Sequence, residues 1–181
     1  MGEGVVNGSG EAGRRAGAYQ GINPNLSRSM LPLSLFPITL ASALAFVSLG
    51  GGLYEFLVVD PFWPRRPDLI QPDAGGISRR RFWIPAHVTF ELALIASLVM
   101  AWSQYEVRVA LLTAAASHGT MRLWSAFDFI PKALAFERAD PAAITEPVAR
   151  AWTRRSRFRF PLDLVTCGAM FAALAAAARH G

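Results

Sequence analysis

The chain has 181 residues, of which 52% are hydrophobic and only 17% are charged. Its length suits one domain, and four long apolar runs, each near the roughly 20 residues that cross a bilayer as a helix, exclude an ordinary soluble protein. The formal charge of +5 does not indicate nucleic-acid binding, because the Lys and Arg residues crowd the ends of these runs, where lipid headgroups explain them. We therefore predict an integral membrane protein that contacts membrane lipid and binds no nucleic acid.

Residues 1–29 precede the first apolar run and are rich in Gly, Asn, Ser and Arg, with no apolar period. We expect them to form a disordered tail, and residues 30–181 to form one membrane domain. Cys167 is the only cysteine, so an intramolecular disulfide and a thiolate zinc cluster within one chain are both excluded.

The first predicted span covers about residues 33–59. Small residues recur on one of its faces and would let another helix approach closely: Ala41, Ala45, Ser48 and Gly52. Glu55 follows Gly52 by three residues, so it points at a neighbouring helix rather than at lipid. Beyond the span, four prolines exclude a regular helix and predict a stiff loop: Pro61, Pro64, Pro67 and Pro72.

The second and third predicted spans cover about residues 82–102 and 107–130. The turn between them is so short that the two spans must be antiparallel neighbours. His87 and Glu91 are four residues apart and therefore share a face of the second span. One face of the third span carries four residues at helical spacing: His118, Arg122, Ser125 and Phe129.

A longer loop, residues 131–159, leads to the fourth span at about 160–178, which carries Asp163. Within the loop, Asp140 before Pro141 predicts the start of a short interfacial helix that runs through Ile144, Val148 and Trp152. A basic and aromatic stretch then predicts a headgroup anchor: Arg154, Arg155, Arg157, Phe158, Arg159 and Phe160. The predicted fold is an all-α, antiparallel four-helix transmembrane bundle.

The distribution of Lys and Arg predicts the orientation of this bundle. Twelve of them lie in the two loops that follow the first and third spans, whereas five lie in the tail, the short turn and the C-terminus. Because positively charged loops stay in the cytoplasm, we expect both long loops inside and both termini outside.

Depth in the membrane relates the ionisable side chains to one another. At a rise of about 1.5 Å per residue, most lie within roughly 13 Å of the loop-side ends of their spans, and His118 is the deepest at roughly 18 Å. Facing lipid would be costly for all of them. We therefore predict one functional polar cluster that opens towards the loops: Glu55, His87, Glu91, His118, Arg122 and Asp163. The structural alternative is that Arg122 pairs with Glu91 or Glu55 only to hold the bundle together.

Acid/base chemistry without a cofactor is the prediction for this cluster. Glu55 or His87 would be the base and Arg122 would stabilise the anion that forms, while Glu91 and His118 would relay protons or orient the others. The same side chains would also suit a metal or haem, but the predicted depths of His87 and His118 differ by roughly 10 Å, which argues against one shared iron. Aromatic residues near the loop side predict a slot for a flat, lipophilic substrate: Tyr54, Trp63, Trp83 and Trp124.

The end of the Gly-rich first span reads Tyr54-Glu55-x-x-Val58-Val59-x-Pro61-x-Trp63. Together with the proline-bearing loop and the His/Glu pair of the second span, this stretch resembles the anthrone oxygenase-like family of small four-span membrane proteins. The resemblance covers about residues 33–178 and places Glu55 and Trp63 at a site. It implies a cofactor-independent monooxygenase that oxidises anthrones to anthraquinones, in which a base deprotonates the substrate and the resulting carbanion meets oxygen directly.

The leading hypothesis is thus a membrane-embedded enzyme that acts on a lipophilic small molecule. A second hypothesis is a non-enzymatic subunit or assembly factor, with a structural polar cluster and with loops that bind a partner in a homodimer or a larger membrane complex. A third is proton-coupled transport, which with only four spans would require a dimer.

Overall fold

The computed structural model describes Met1 and residues 24–180, with side chains described for residues 35–179 of that range. Within these residues the chain is all helical and contains no strand, which confirms the predicted all-α class. Short 3₁₀ or π-helical turns connect most of the α-helices, which are α1 (Pro24–Tyr54), α2 (Arg80–Met100), α3 (Tyr105–Trp124), α4 (Ile130–Arg138), α5 (Glu146–Ser156) and α6 (Phe160–His180).

The four long helices α1, α2, α3 and α6 form a bundle. Helix α6 packs against both α1 and α3, and α1 also packs against α2. Ala41 and Ala45 are buried in the shared core beside Leu111 and Met170, as the predicted small-residue face of α1 requires. In lipid such an interface is stabilised by close van der Waals packing rather than by the hydrophobic effect, and small side chains allow that close approach.

A second apolar cluster covers the loop side of the bundle. The proline-bearing loop forms three 3₁₀ turns, Trp63–Arg65, Pro67–Ile70 and Pro72–Ala74, rather than a regular helix, as predicted. Trp63 is fully buried and packs edge-on against Trp152 of α5, with ring centroids 5.8 Å apart. Phe129 lies next to Trp152 in the same cluster, at 6.1 Å between ring centroids. The loop and α5 thus close the bundle from the same side.

Three helices are long and apolar enough to cross a membrane: Leu35–Val59, Arg80–Met100 and the stretch Glu146–Arg179, which joins α5 and α6. They are compatible with an integral membrane protein. Helix α3, the third predicted span, does not meet that criterion of length and composition among the described residues. It nevertheless belongs to the bundle, since it packs along α6.

The first helix starts earlier than its predicted span. Helix α1 begins at Pro24, within the stretch 1–29 that was predicted to be a disordered tail. Residues 2–23 of that tail lie outside the described residues, so its disorder stays a prediction.

The largest difference from the predicted boundaries concerns residues 107–138. Helix α3 ends at Trp124, the chain continues as a π-helical turn over Ser125–Phe129, and α4 follows where a loop was predicted. Pro131 does not end the helix because it occupies the first turn of α4, where a missing N–H costs little.

The predicted interfacial helix is present, but it begins later than predicted. Asp140 caps a short 3₁₀ turn, Pro141–Ala143, by accepting a hydrogen bond from the backbone N–H of Ala142 at 2.9 Å. Helix α5 starts only after Ile144, and Val148 is exposed. The buried residues of α5 are Ala149, Trp152 and Thr153.

Candidate functional site

Helices α1 and α3 each end in a single π-helical turn, and both turns face the same cavity. The turn after α1 covers Glu55–Val59, and the turn after α3 covers Ser125–Phe129. A π-helical turn inserts one extra residue and redirects the side chains around it, which is why such turns recur at functional sites. Glu55 and Ser125, the first residues of the two turns, both line the cavity.

The cavity has a volume of about 560 Å³ and lies at the loop-side end of the bundle. Helices α2, α3 and α6 and the turns that follow α1 and precede α6 contribute ionisable or hydrogen-bonding side chains to its wall: Glu55, Trp83, His87, Arg122, Arg159 and Asp163. Apolar side chains of α4 complete the wall, among them Ile130 and Leu134. A concave, mostly apolar space of this size with a few convergent polar groups is typical of a site for a small molecule.

Glu55 is held in position by α2. The indole Nε1–H of Trp83 donates a hydrogen bond to Glu55 Oε1 at 2.8 Å. The indole also stacks on the imidazole of His87, with ring centroids 5.2 Å apart and an angle of 19° between the planes. One aromatic side chain therefore links a carboxylate of α1 to a histidine of α2, and Glu55 Oε2 accepts no hydrogen bond within the described part of the chain.

Glu91 connects α2 to α3 through two further members of the predicted cluster. Its Oε1 atom accepts a hydrogen bond from Arg122 Nε at 3.0 Å and lies 3.2 Å from His118 Nε2. The pairing of Arg122 with Glu91 was one of the two alternatives predicted for this arginine. Arg122 also lines the cavity, whereas Glu91 and His118 lie behind it.

The predicted separation of the two histidines was wrong. His87 and His118 lie beside each other, with ring centroids 5.5 Å apart, and both are buried. The estimated depth of His118 assumed that the third span ends near residue 130. Because α3 already ends at Trp124 and the chain then turns into α4, His118 is much closer to the loop side than that estimate placed it.

Asp163 and Arg159 form the part of the wall contributed by α6 and the 3₁₀ turn before it. Arg159 Nη1 donates a hydrogen bond to Ser125 Oγ at 2.8 Å, and its guanidinium lies over the ring of Phe129 at 4.4 Å. The interpretation of Arg159 as a lipid headgroup anchor was therefore wrong. Arg159 lies four residues before Asp163, which places both on one helix face. This spacing is the sequence signal that could have identified Arg159 as a residue of the site.

The four aromatic residues predicted to bind substrate have different surroundings. Trp83 lines the cavity. Tyr54 is exposed on the outside of the bundle, Trp63 is fully buried in the loop-side cluster and Trp124 is partly exposed. None of these last three contributes to the cavity wall.

Asp60 lies just beyond the first span, at the loop end of the cavity, and is buried. Its Oδ1 atom accepts a hydrogen bond from Trp63 Nε1 at 3.2 Å. Burial raises the pKa of the Asp60 carboxyl from 3.8 to about 6, with a smaller contribution from Glu55, while the hydrogen bond from Trp63 and the charge of Arg79 oppose the rise. The Asp60 carboxyl therefore loses its proton at a higher pH than an exposed aspartate does.

Several polar atoms of the wall lack a partner. Among the described side chains, six nitrogen or oxygen atoms are fully buried and make no hydrogen bond, and four of these belong to residues that line the cavity: Arg79 Nη2, His87 Nδ1, Glu137 Oε2 and Trp152 Nε1. Glu137 Oε2 is 3.2 Å from Arg80 Nε and so keeps an ionic partner. Arg79, Glu137 and Trp152 were not predicted as site residues.

Neither a metal site nor a relative identifies the chemistry of this cavity. The described residues contain no group of three or more His, Cys, Asp or Glu side chains placed to hold one metal ion. Searches of protein-family models, of curated proteins and of solved structures found no match to this chain. The resemblance to the anthrone oxygenase-like family stays a prediction.

Proposed function

We propose that the protein is a membrane-embedded enzyme that carries out acid/base chemistry on a lipophilic small molecule held in the cavity. The observation that carries this proposal is the set of ionisable side chains on the wall of a 560 Å³ cavity, Glu55, His87, Arg122 and Asp163 among them. In this proposal α3 also crosses the membrane, as the third of four spans, and both loops are cytoplasmic with both termini outside, as the distribution of Lys and Arg favours.

A lipophilic substrate has a direct route to this cavity. Leu53 of α1 and Ile84 of α2 line the cavity and are also exposed at the outer surface of the bundle. The cavity therefore reaches the apolar surface between these two helices. A molecule dissolved in the bilayer would enter there without crossing water.

Glu55 is the best placed base. Trp83 fixes the carboxylate through Oε1, so Oε2 remains available to remove a proton from a substrate carbon or hydroxyl. His87 stacks on the same indole and would pass the proton onward. A carboxylate held rigidly in a site with little water is a stronger base towards a bound substrate than one in solution.

Arg122 is placed to stabilise the anion that forms. Glu91 binds only the Nε atom of its guanidinium, which leaves the two Nη groups for a developing enolate or phenolate oxygen. In the oxygenase form that the family resemblance implies, the carbanion gives its electrons to O₂. A methylene then becomes a carbonyl, one oxygen atom enters the product and the other leaves as water.

The test is turnover of anthrone by the purified protein in proteoliposomes, followed by the absorbance of anthraquinone. We expect Glu55→Gln and Arg122→Gln each to reduce the rate by about a hundredfold, and the exposed Asp73→Asn to leave it unchanged. Folding is checked by circular dichroism. A wild-type protein that forms no anthraquinone contradicts the oxygenase form, and folded Glu55 and Arg122 variants with full activity contradict the assignment of the site.

A non-enzymatic subunit remains the second candidate, and one observation favours it. Glu91 satisfies both Arg122 and His118, so this part of the polar cluster links α2 to α3 whether or not a ligand binds. A purely structural role predicts that Arg122→Gln lowers the melting temperature in detergent and leaves ligand binding unchanged, and that the wild-type protein co-purifies with a larger complex.

A further inference from the structure

Resting on the proposed function, we infer that the loop-side end of the cavity is an oxyanion site formed by Arg79 and Trp152. The molecule in the cavity would then be an amphipathic acid, with a carboxylate or phosphate at these two residues and an apolar body that extends towards the opening between α1 and α2. The proposed chemistry alone requires only a lipophilic substrate, so this inference narrows the class of ligand.

Arg79 is the first observation. Its side chain is buried, with 9% of the residue exposed, and its Nη2 atom makes no hydrogen bond. Within the described part of the chain the guanidinium also forms no salt bridge; it stacks over Trp152 at 5.3 Å and Trp63 at 5.9 Å. Stacking orients the guanidinium plane but uses none of its N–H donors. A buried guanidinium whose N–H donors are unused lowers the stability of the fold unless an anion binds to it.

The neighbouring carboxylates are already engaged. Asp60 accepts the indole N–H of Trp63, and Glu137 pairs with Arg80 at 3.2 Å. Neither lies within salt-bridge distance of Arg79, although Asp60 is near enough to interact with it electrostatically. No described side chain therefore supplies an acceptor for Arg79 Nη2.

Trp152 is the second and independent observation. Its Nε1 atom is fully buried, makes no hydrogen bond, and belongs to a residue of the same wall. The guanidinium of Arg79 lies over the ring of Trp152 at 5.3 Å, so two residues of the cavity wall that each carry an unpartnered donor are neighbours. Both would donate to the same acceptor oxygens, which is the arrangement used to bind a carboxylate or phosphate.

The charge of the whole wall favours the same ligand. Four carboxylates line the cavity, Glu55, Asp60, Glu137 and Asp163, against six arginines, Arg79, Arg80, Arg122, Arg138, Arg157 and Arg159. The excess of positive charge lies mainly at the loop-side end. The acidic group of a ligand would bind there, and its apolar chain would extend away from it towards the opening between α1 and α2.

The experiment compares an acid with a neutral molecule of the same shape. The protein in a neutral detergent is titrated with dibromostearate and with dibromostearyl alcohol, whose bromine atoms quench the fluorescence of nearby tryptophans. We expect the acid to bind at least about tenfold more tightly than the alcohol, because a charge-assisted hydrogen bond to the guanidinium is lost with the alcohol. Dodecyl phosphate should displace the acid, since the site recognises oxyanions rather than carboxylates alone.

Two variants assign this preference to the residues. Arg79→Gln should abolish the preference for the acid, and Trp152→Phe, which keeps the ring and removes only the N–H, should reduce it by a few-fold. Arg154→Gln is the matched control, since Arg154 is exposed and does not line the cavity. If Arg79→Gln fails to fold, the Trp152→Phe result decides alone.

The outcomes separate this inference from the proposed function. Equal binding of acid and alcohol, or a preference that survives in folded Arg79→Gln and in Trp152→Phe, overturns the oxyanion site while the lipophilic cavity stands. Failure of both molecules to bind contradicts both proposals. The source of the acid is decided by nanodiscs: if phosphatidylglycerol, but not phosphatidylcholine, displaces dibromostearate, then an anionic bilayer lipid is the natural occupant, and otherwise it is a free amphiphile.

Discussion

Two groups of polar side chains lie next to each other in this bundle and differ in how completely they are satisfied. Between α2 and α3, Glu91 accepts from Arg122 at 3.0 Å and lies 3.2 Å from His118. On the cavity side, Asp163 accepts no hydrogen bond from a described residue, and Arg79 has an unpartnered donor. Among the described residues, the first group leaves the Nη groups of Arg122 without a partner, whereas the second group lacks hydrogen-bond partners for both Asp163 and Arg79 Nη2.

The difference indicates which residues serve stability and which serve binding. In a low-dielectric interior a satisfied polar network holds two helices together, whereas an unsatisfied one lowers stability unless a ligand completes it. The six residues predicted as one functional cluster thus fall into two groups. Glu91 and His118 position Arg122, and the cavity wall with Glu55, His87 and Asp163 is where we expect a ligand.

The largest effect on stability should come from breaking the satisfied group. Glu91→Leu removes the acceptor of both Arg122 and His118, and we expect it to lower the free energy of unfolding by about 2 kcal/mol. Adding Arg122→Leu should restore part of this loss, because the unpaired charge is then gone. Thermal unfolding in detergent measures both values.

A matched ion pair at the far end of the bundle provides the control. Glu106 and Arg179 are also 3.0 Å apart, but both side chains are more than half exposed. Glu106→Leu should therefore change the stability by less than about 0.5 kcal/mol. If it destabilises as much as Glu91→Leu, the distinction between a structural and a merely exposed pair is wrong.

Trp83 lies on the cavity side, and we expect its substitution to affect the reaction rate more than the stability. Trp83→Phe keeps the ring that stacks on His87 and removes the hydrogen bond that fixes Glu55. We expect the rate of anthrone conversion to fall by about tenfold, with a loss of stability of only about 1 kcal/mol. A variant that loses stability but keeps the wild-type rate would show that Trp83 belongs to the structural group.

The sequence was sufficient to place the polar face of the third span. His118, Arg122, Ser125 and Phe129 follow helical spacing, and the structure brings all four to the cavity wall or directly behind it. Helical periodicity is a local property, so it can be read from spacing alone. The all-α class and the apolar spans follow from the same kind of signal.

Other features depend on tertiary packing and could not be predicted in this way. Arg159 and Arg154 occur in one basic stretch, yet only Arg159 turns inward, because Ser125 and Phe129 of a distant helix receive it. Arg79 likewise belongs to a run of three arginines. The π-helical turn at Ser125–Phe129 also has no signature in the sequence, and missing it led to the wrong depth for His118.

Asp60 should make the stability of the protein depend on pH. Burial raises the pKa of Asp60 from 3.8 to about 6, so the folded protein favours the protonated carboxyl more than the unfolded chain does. This group therefore contributes most stability below about pH 4, and the contribution is lost as the pH rises through 6. We expect the melting temperature to be higher at pH 5 than at pH 8.

Asp60→Asn tests whether Asp60 causes this dependence. Asparagine keeps an oxygen that can accept the indole N–H of Trp63 but does not ionise. The variant should therefore be more stable than the wild type at pH 8 and should show a smaller change between pH 5 and pH 8. An unchanged pH profile would assign the dependence to another group.

The smallest effect on stability is expected at Ser125, whose hydroxyl oxygen accepts a hydrogen bond from Arg159. Ser125→Ala removes the acceptor of Arg159 Nη1 at 2.8 Å while the cation–π contact with Phe129 remains. Since the guanidinium also interacts electrostatically with Asp163, we expect it to turn towards that carboxylate and the loss of stability to stay below about 1 kcal/mol. The exposed Ser103→Ala is the control. Asp163 would then be engaged by Arg159, so binding of a lipophilic ligand should weaken in Ser125→Ala although the fold is almost unchanged. Equal ligand affinity in Ser125→Ala and Ser103→Ala would contradict the assignment of Asp163 to the binding group.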